Sequence, residues 1–162
     1  MVEATCWGLL MAMYDQLIEA VRQSGREIFW QGPVSVDEVN KLQMLLGCEI
    51  PQSFKRFLSE YGGGGPVGAE VSGIEDGDAS KLTGGTVYAD TLACRDRYGL
   101  PADLMVIYLH DDEVCWCLDV GAMRAGECPV VAYDILQRRR DRQIAETFDA
   151  FMRHHLSLYA EW

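Results

Sequence analysis

The feature that most restricts the fold of this chain is a run of four glycines at residues 62–65. Before the run, apolar residues recur at helical spacing in three successive segments. After it, short apolar runs follow strand spacing, and a helical pattern returns only near the end. Helices followed by hairpin strands and a final helix are typical of an α+β fold. We therefore expect an antiparallel or mixed β-sheet flanked by helices.

The segment before the glycines contains three predicted helices. Apolar spacing predicts the first over Cys6–Gln23, followed by a linker through Gly32 and Pro33. Ser35 and Glu38 match a capping box, in which each side chain binds a free backbone donor of the first turn, and they begin the second helix. The third helix ends at the glycine run.

The helix boundaries have local chemical signals. Gly47 predicts the end of the second helix, because glycine takes the left-handed C-cap conformation at little cost. Pro51 suits the first position of the third helix, where its missing N–H loses no hydrogen bond. The glycine run follows a helix, whereas phosphate-binding glycine loops follow a strand and open a helix. We therefore interpret residues 62–65 as a helix stop and a flexible turn, not as a nucleotide site.

Strands dominate the prediction for the second half. Its predicted elements are, in order, a strand over Pro66–Ile74, the acidic loop EDGDASK, a short helix over Tyr88–Tyr98, a hairpin of Leu104–Leu109 and Val114–Leu118 around the turn HDDE, a strand over Pro129–Tyr133 and a helix over Arg142–Leu156. The basic run at residues 138–142 is expected to be a solvated loop that leads into this last helix.

Size and composition predict one cytoplasmic domain. The 162 residues are 49% hydrophobic and 24% charged, as in globular proteins. No stretch approaches the ~18–20 apolar residues of a membrane span, and the N-terminus lacks the basic region of a signal peptide. The six cysteines lie in apolar patterns without paired CxxC motifs, so we expect reduced, buried thiols.

The formal net charge of −11 is concentrated in the middle of the chain. Residues 61–135 hold thirteen acidic and four basic residues, a net of −9. Such a field repels phosphate backbones and attracts a basic partner, so direct nucleic-acid binding is disfavoured and protein binding is favoured. The predicted partner-binding residues lie in loops at strand ends; they are Glu75, Asp76, Asp78, Asp111, Asp112 and Glu113.

The sequence gives weaker evidence for a metal site or a catalytic site. Cys115 and Cys117 share a strand face and, with Cys94, Cys128 or His110, would be the ligands of a zinc site; core thiols are the simpler reading. The adjacent pair His154 and His155 points in directions about 100° apart on a helix and does not chelate one ion. We expect His155 in the core and His154 in solvent. No catalytic residue set and no cofactor site is predicted.

The order of these motifs resembles the SUKH superfamily (Smi/Knr-like domains). The matching residues are Gly47, Ile50-Pro51, Phe54, Phe57, Leu58, Tyr61, Gly62-Gly63-Gly64, Gly73-Ile74, Leu100-Pro101, Leu118-Asp119, Pro129-Val130, Phe148 and Phe151. The resemblance covers about residues 36–152 of a single domain spanning 1–162, and residues 1–35 are expected to form an added N-terminal helix and linker.

The resemblance implies a non-enzymatic fold with a partner-binding face. The best-known bacterial members are immunity proteins against toxins, many of which are basic nucleases, so the implied partner is a cognate protein toxin. A cytosolic regulator or scaffold, as among the fungal members, is the alternative within the family. A small thiol- or zinc-dependent enzyme that uses Cys115 and Cys117 is the alternative outside it. The oligomeric state is open.

Overall fold

The computed structural model describes residues 14–160, in which helices pack against two antiparallel sheets. The first helix, α1, covers residues 14–23; the part of its predicted range before residue 14 lies outside the described residues. Tyr14, Ile18 and Val21 of α1 are buried in the main core. The Ser24 hydroxyl at its end lies 2.9 Å from the carbonyl oxygen of Tyr159, so α1 is joined to the last helix.

Helices α2 (Val36–Leu46) and α3 (Gln52–Tyr61) confirm the predicted second and third helices. The Ser35 side chain caps α2 by accepting a hydrogen bond from the Glu38 amide. The Glu38 carboxylate does not close the capping box, because it accepts instead from the Ala79 amide at 2.8 Å. This contact connects α2 to the acidic loop. Pro51 lies one position before its predicted place, at the N-cap of α3.

The glycine run ends α3 as predicted, but the prediction that it forms a flexible turn is wrong. Gly64–Pro66 forms strand β2, which pairs antiparallel with β1 (Ile28–Trp30), a strand missed within the predicted linker. All four glycines are buried and have positive φ. The predicted strand over Pro66–Ile74 is also wrong: after Pro66 only isolated bridges at Val71 and Gly73 occur. The strand begins two residues earlier because it pairs with β1, which is distant in sequence, and local periodicity cannot reveal such a partner.

The four-stranded sheet confirms the predicted hairpin. Its strands are β3 (Leu104–His110), β4 (Val114–Asp119), β5 (Val130–Asp134) and β6 (Arg139–Ala145), in the order β3-β4-β5-β6 and antiparallel throughout. Helix α4 (Val87–Tyr98) precedes β3 and packs beside it, close to its predicted range. A short 3₁₀ turn at Val120–Ala122 follows β4.

The predicted start of the last helix is wrong. Residues 139–145 form β6, the exposed edge strand, and α5 covers Phe148–Ala160. Ile144 and Ala145 lie at helical spacing from Phe148, but in the fold they pack at the edge of the core while Ala145 pairs with Val130. The Thr147 hydroxyl accepts from the Ala150 amide at 3.1 Å and caps the helix there. The basic run therefore lies in a strand and its preceding turn.

The core has two parts, one on each face of the four-stranded sheet. The larger surrounds α3 and α5, where Phe54, Phe57 and Phe148 meet with ring centroids 4.8–5.9 Å apart. The smaller lies under α4; its buried members are Cys94, Leu100, Leu104, Val106, Cys115, Cys117, Val131, Tyr133 and Ile135. Alternate strand residues supply the two faces, as the pleat requires. No helix within residues 14–160 has the length and apolar character to cross a membrane.

Candidate functional site

The six predicted acidic residues lie in two different places. Glu75, Asp76 and Asp78 belong to the loop beside α2. Asp76 and Asp78 are paired within the chain, whereas one carboxylate oxygen of Glu75 is buried without a hydrogen-bond partner among residues 14–160. Asp78 accepts from the Ser80 hydroxyl at 2.6 Å and from Lys41 Nζ at 3.1 Å. The hydrogen bonds from Ser80, with that from Lys41, lower the pKa of Asp78 to about 2. Asp76 pairs with Lys81. Two of these three residues, Asp76 and Asp78, therefore stabilise the fold through contacts within the chain.

Asp111, Asp112 and Glu113 form the turn between β3 and β4 and are exposed. None of the three has an ion-pair or side-chain hydrogen-bond partner among residues 14–160. The Glu113 amide donates to the His110 carbonyl oxygen at 3.1 Å and closes the turn. Asp111 and Asp112 have φ values of +55° and +52°, a region that glycine and asparagine occupy more easily. The turn therefore presents three free carboxylates on a backbone that disfavours two of them.

This acidic turn borders a split in the sheet. The β4–β5 pairing ends at Trp116 and Ala132, although β4 begins two residues before Trp116 and β5 continues two residues beyond Ala132. The hairpins β3–β4 and β5–β6 consequently diverge towards their turns. The space between them is an open groove of about 700 Å³, which we call the split-sheet groove.

The groove is strongly acidic. Its charged lining consists of Asp111, Asp112, Glu113, Asp134, Asp141 and Arg142, five carboxylates against one guanidinium and thus a formal net charge of −4. Arg142 lies 3.8 Å from Asp141, a long ion pair between exposed side chains. Asp134 accepts from the amides of Leu136 and Gln137, at 3.0 and 2.9 Å, which shapes the β5–β6 turn.

Apolar surface completes the groove. Leu136, at the tip of the β5–β6 hairpin, is 91% exposed. Trp116 is half-buried, stacks on Tyr108 with centroids 4.4 Å apart, and also lines a smaller recess beside His154 and Leu158. Sequence reasoning did not single out Asp134, Leu136 or Asp141. The available signal was Leu136, a large apolar residue isolated in a polar turn.

Cys94, Cys115 and Cys117 form a buried cluster under α4, while Cys48 and Cys128 are buried in the larger core and Cys6 lies outside the described residues. The Sγ atoms of Cys115 and Cys117 are 3.7 Å apart, which confirms that they share a face. Hydrogen bonding to Cys117 raises the pKa of Cys115, and hydrogen bonding to Cys115 raises that of Cys94, with burial adding in both cases. Protonated buried thiols are poor nucleophiles and poor ligands. Within residues 14–160, no group of His, Cys, Asp or Glu has the arrangement of a metal site.

Three other titratable groups, His155, Asp90 and His110, make hydrogen bonds inside the fold. His155 is 2% exposed and its ring nitrogen lies 2.8 Å from the Ala69 carbonyl oxygen, which confirms the core prediction; His154 is exposed. The Ser72 hydroxyl donates to Asp90 at 2.8 Å, and His110 contacts the Glu70 carbonyl oxygen. Since the serine bonds the carboxylate directly, these residues are not arranged as a Ser-His-Asp relay.

One residue of the basic run is structural. Arg140 donates to Asp103 at 2.6 Å and to Asp119 at 2.9 Å, and Asp119 is a buried carboxylate. Arg140 therefore neutralises two carboxylates, of which that of Asp119 is buried. Of the basic run, only Arg142 lines the groove.

Comparison with known families agrees with the motifs found in the sequence. A model of the SUKH_5 family, described as SMI1-KNR4 cell-wall, matches residues 14–157. The match includes α1 and β1, which pack with the main core, and it extends through most of α5. Because the match spans most of the chain and the α+β architecture is consistent with it, the chain belongs to the SUKH_5 family of SMI1-KNR4 proteins.

Proposed function

We propose that this protein is an immunity-type inhibitor that binds a basic bacterial toxin, such as a nuclease, in the cytoplasm and blocks it without catalysing a reaction. Family membership supports the class, since SUKH domains are generally toxin-binding immunity proteins. The protonated thiols of Cys94 and Cys115 argue against the thiol- or zinc-dependent alternative.

The main support is the unpaired acidic turn of Asp111–Glu113 at the border of the split-sheet groove. Carboxylates that have no internal partner are available to an external one, whereas those of Asp76 and Asp78 are already paired with lysines. The net charge of the groove steers a basic surface towards it and repels nucleic acid.

The first test is the capture of the tagged protein from its own cells, with partners identified by mass spectrometry. One stoichiometric basic protein whose expression alone kills cells supports the proposal. Binding is then measured for Asp111→Asn/Asp112→Asn, in which asparagine tolerates the same backbone conformation. We expect a loss of tenfold or more in affinity, about 1.4 kcal/mol, and a weaker dependence on salt.

A matched control variant distinguishes the effect of the charges in the acidic turn from the effect of the protein's net charge. Glu19 on α1 and Glu49 in the loop between α2 and α3 are exposed, and Glu19→Gln/Glu49→Gln removes the same number of charges. This variant should bind with nearly unchanged affinity. If both double variants lose affinity equally, the acidic turn is not the binding site and only the net charge matters.

A second candidate is a regulatory or scaffold function. The description of the matching family as SMI1-KNR4 cell-wall favours it, because that description refers to the cell wall and not to toxins. This function predicts several host partners of which none is toxic when expressed alone. The same capture experiment therefore distinguishes the two candidates.

A further inference from the structure

We infer that the basic partner also places one aromatic side chain in the recess between the sheet and the end of α5, while its basic side chains contact the acidic turn. We call this cavity the α5 recess; its lining includes Trp116, Phe151 and Leu158. This inference rests on the proposed function and adds an apolar anchor to the recognition by charge.

The first observation is an uncovered residue on the apolar stripe of α5. Phe151, His155 and Leu158 recur at i, i+4 and i+7, so they lie on one side of the helix. Phe151 and His155 pack on the sheet and are each 2% exposed, whereas Leu158 is 51% exposed. The α5 recess, of about 300 Å³, lies at this place. The apolar stripe therefore continues past the part of the helix that the sheet covers.

The second observation is the aromatic lining of the recess. Trp116 packs edge-to-face on Phe151, with ring centroids 5.7 Å apart, and Phe151 stacks on His155 at 5.3 Å. A further ring can pack on such a lining in an edge-to-face or offset arrangement. Aromatic side chains that fill pockets are typical anchors of protein interfaces. An aromatic side chain therefore matches both the shape and the chemistry of the recess.

The charges of the two cavities determine which side chain each of them accepts. Arg142 and His154 are exposed and line the α5 recess, and no acidic residue of the described chain lines it. The split-sheet groove has a formal net charge of −4. Lysine or arginine is therefore attracted to the groove and not to the recess.

The two cavities adjoin on the same face of the sheet. Trp116 and Arg142 line both of them. Val114 lies two residues before Trp116, hence on the same face of β4, and it lines the groove. Glu113 of the acidic turn is three residues from Trp116, or about 10 Å along an extended chain. A partner that fits both cavities thus presents an aromatic side chain about 10 Å from a basic one.

The probe is a synthetic peptide, acetyl-Lys-Lys-Gly-Phe-Gly-Lys-Lys-amide, which places lysines two and three residues from the phenylalanine in both directions. Binding to the full chain is followed by NMR, with the signals of the Trp116 indole and the Leu158 methyl groups as local reporters. A second peptide has alanine in place of phenylalanine and the same charge. We expect the alanine peptide to bind at least fivefold more weakly and to leave the Leu158 signals unchanged.

Two matched variants of the protein locate the contact. Leu158→Ser should weaken binding of the phenylalanine peptide at least threefold and should not change binding of the alanine peptide. Leu82→Ser makes the same substitution at a residue that is 70% exposed in the loop before α4, and it should change neither affinity. Asp111→Asn/Asp112→Asn should weaken binding of both peptides by a similar factor, because it changes only the charge contacts. The NMR spectrum of each variant checks that it is folded.

Equal binding of the two peptides, or no binding of the phenylalanine peptide, would overturn the inference. A wild-type dimer that Leu158→Ser dissociates in analytical ultracentrifugation would also overturn it, because a second copy of the chain would then occupy the recess. These outcomes do not depend on the capture of a toxin. If Leu158→Ser leaves affinity for a captured toxin unchanged while Asp111→Asn/Asp112→Asn lowers it, this inference fails and the proposed function stands.

Discussion

Replacing Gly64 with alanine should destabilise the protein far more than the same change at Gly68. Both glycines have positive φ, +114° and +92°, so both substitutions impose backbone strain of about 1–3 kcal/mol. They differ in surroundings. A Cβ at Gly64 would lie 2.1 Å from the backbone oxygen of Phe29, whereas a Cβ at Gly68 would have nothing within 4 Å.

The additional penalty at Gly64 follows from the backbone bonds around it. Relief of the clash requires β1 and β2 to separate, and Gly64 also exchanges two hydrogen bonds with Val71, of 2.8 and 2.9 Å. Each net backbone bond is worth about 1 kcal/mol, so the loss of two or three adds about 2–3 kcal/mol. We expect a total of about 3–6 kcal/mol for Gly64→Ala and about 1–3 kcal/mol for Gly68→Ala.

The difference is measured by urea unfolding of the two variants and the wild type, with thermal unfolding as a second probe. For a chain of this size each kcal/mol corresponds to about 2–4 °C in Tm. The additional penalty of about 2–3 kcal/mol at Gly64 should therefore separate the two variants by about 4–12 °C in Tm. Equal losses of stability in the two variants would show that strain alone matters, and would refute the close packing of β2 against β1.

Three further changes test other parts of the structure. Asp112→Gly should raise the free energy of unfolding by about 0.5–1 kcal/mol, because it relieves positive φ, while weakening partner binding. Arg140→Met should lower the free energy of unfolding in urea by about 1–3 kcal/mol, because a buried carboxylate loses its partner. Arg139→Met changes an exposed residue that has no ion-pair partner within residues 14–160, and it should leave the free energy of unfolding nearly unchanged. Burial lowers the pKa of His155 in the folded protein, so the unfolded chain takes up a proton at a higher pH than the folded protein does. The free energy of unfolding therefore falls as the pH drops below about 6.5, by at most ~1.4 kcal/mol per pH unit. His155→Asn should reduce that slope in unfolding measured from pH 7 to 5, and His154→Asn should leave it unchanged.

Only part of the candidate site could be predicted from the sequence. Composition identified an acidic middle segment, and the turn between two strands correctly placed Asp111 and Asp112 in solvent. The same composition also selected Asp78, which the fold uses to hold Lys41 and Ser80. An acidic residue in a loop looks the same in sequence whether its partner is another protein or a lysine 37 positions away. Only the tertiary structure distinguishes the two uses.

Local chemistry alone determined the ends of α2 and α3. Gly47 and Gly62 take the left-handed conformation at the ends of α2 and α3, and the Ser35 cap and the hairpin turn follow from residues within a few positions of one another. The helical stripes and the apolar strands β3 to β5 are also local patterns. The family assignment depended on this order of local signals, which is why it was possible without coordinates.

Tertiary structure decided the elements whose hydrogen-bond partners are distant in sequence. Three-residue strands such as β1 and β2 are too short for a periodicity signal, and they exist because Phe29 and Gly65 meet across 36 positions. Residues 142–145 fit the start of a helix locally but belong to a strand because β5 offers an unpaired edge. The split-sheet groove arises where pairing between β4 and β5 stops. Its extent depends on the relative twist and direction of two hairpins, a property that belongs to no single segment of the chain.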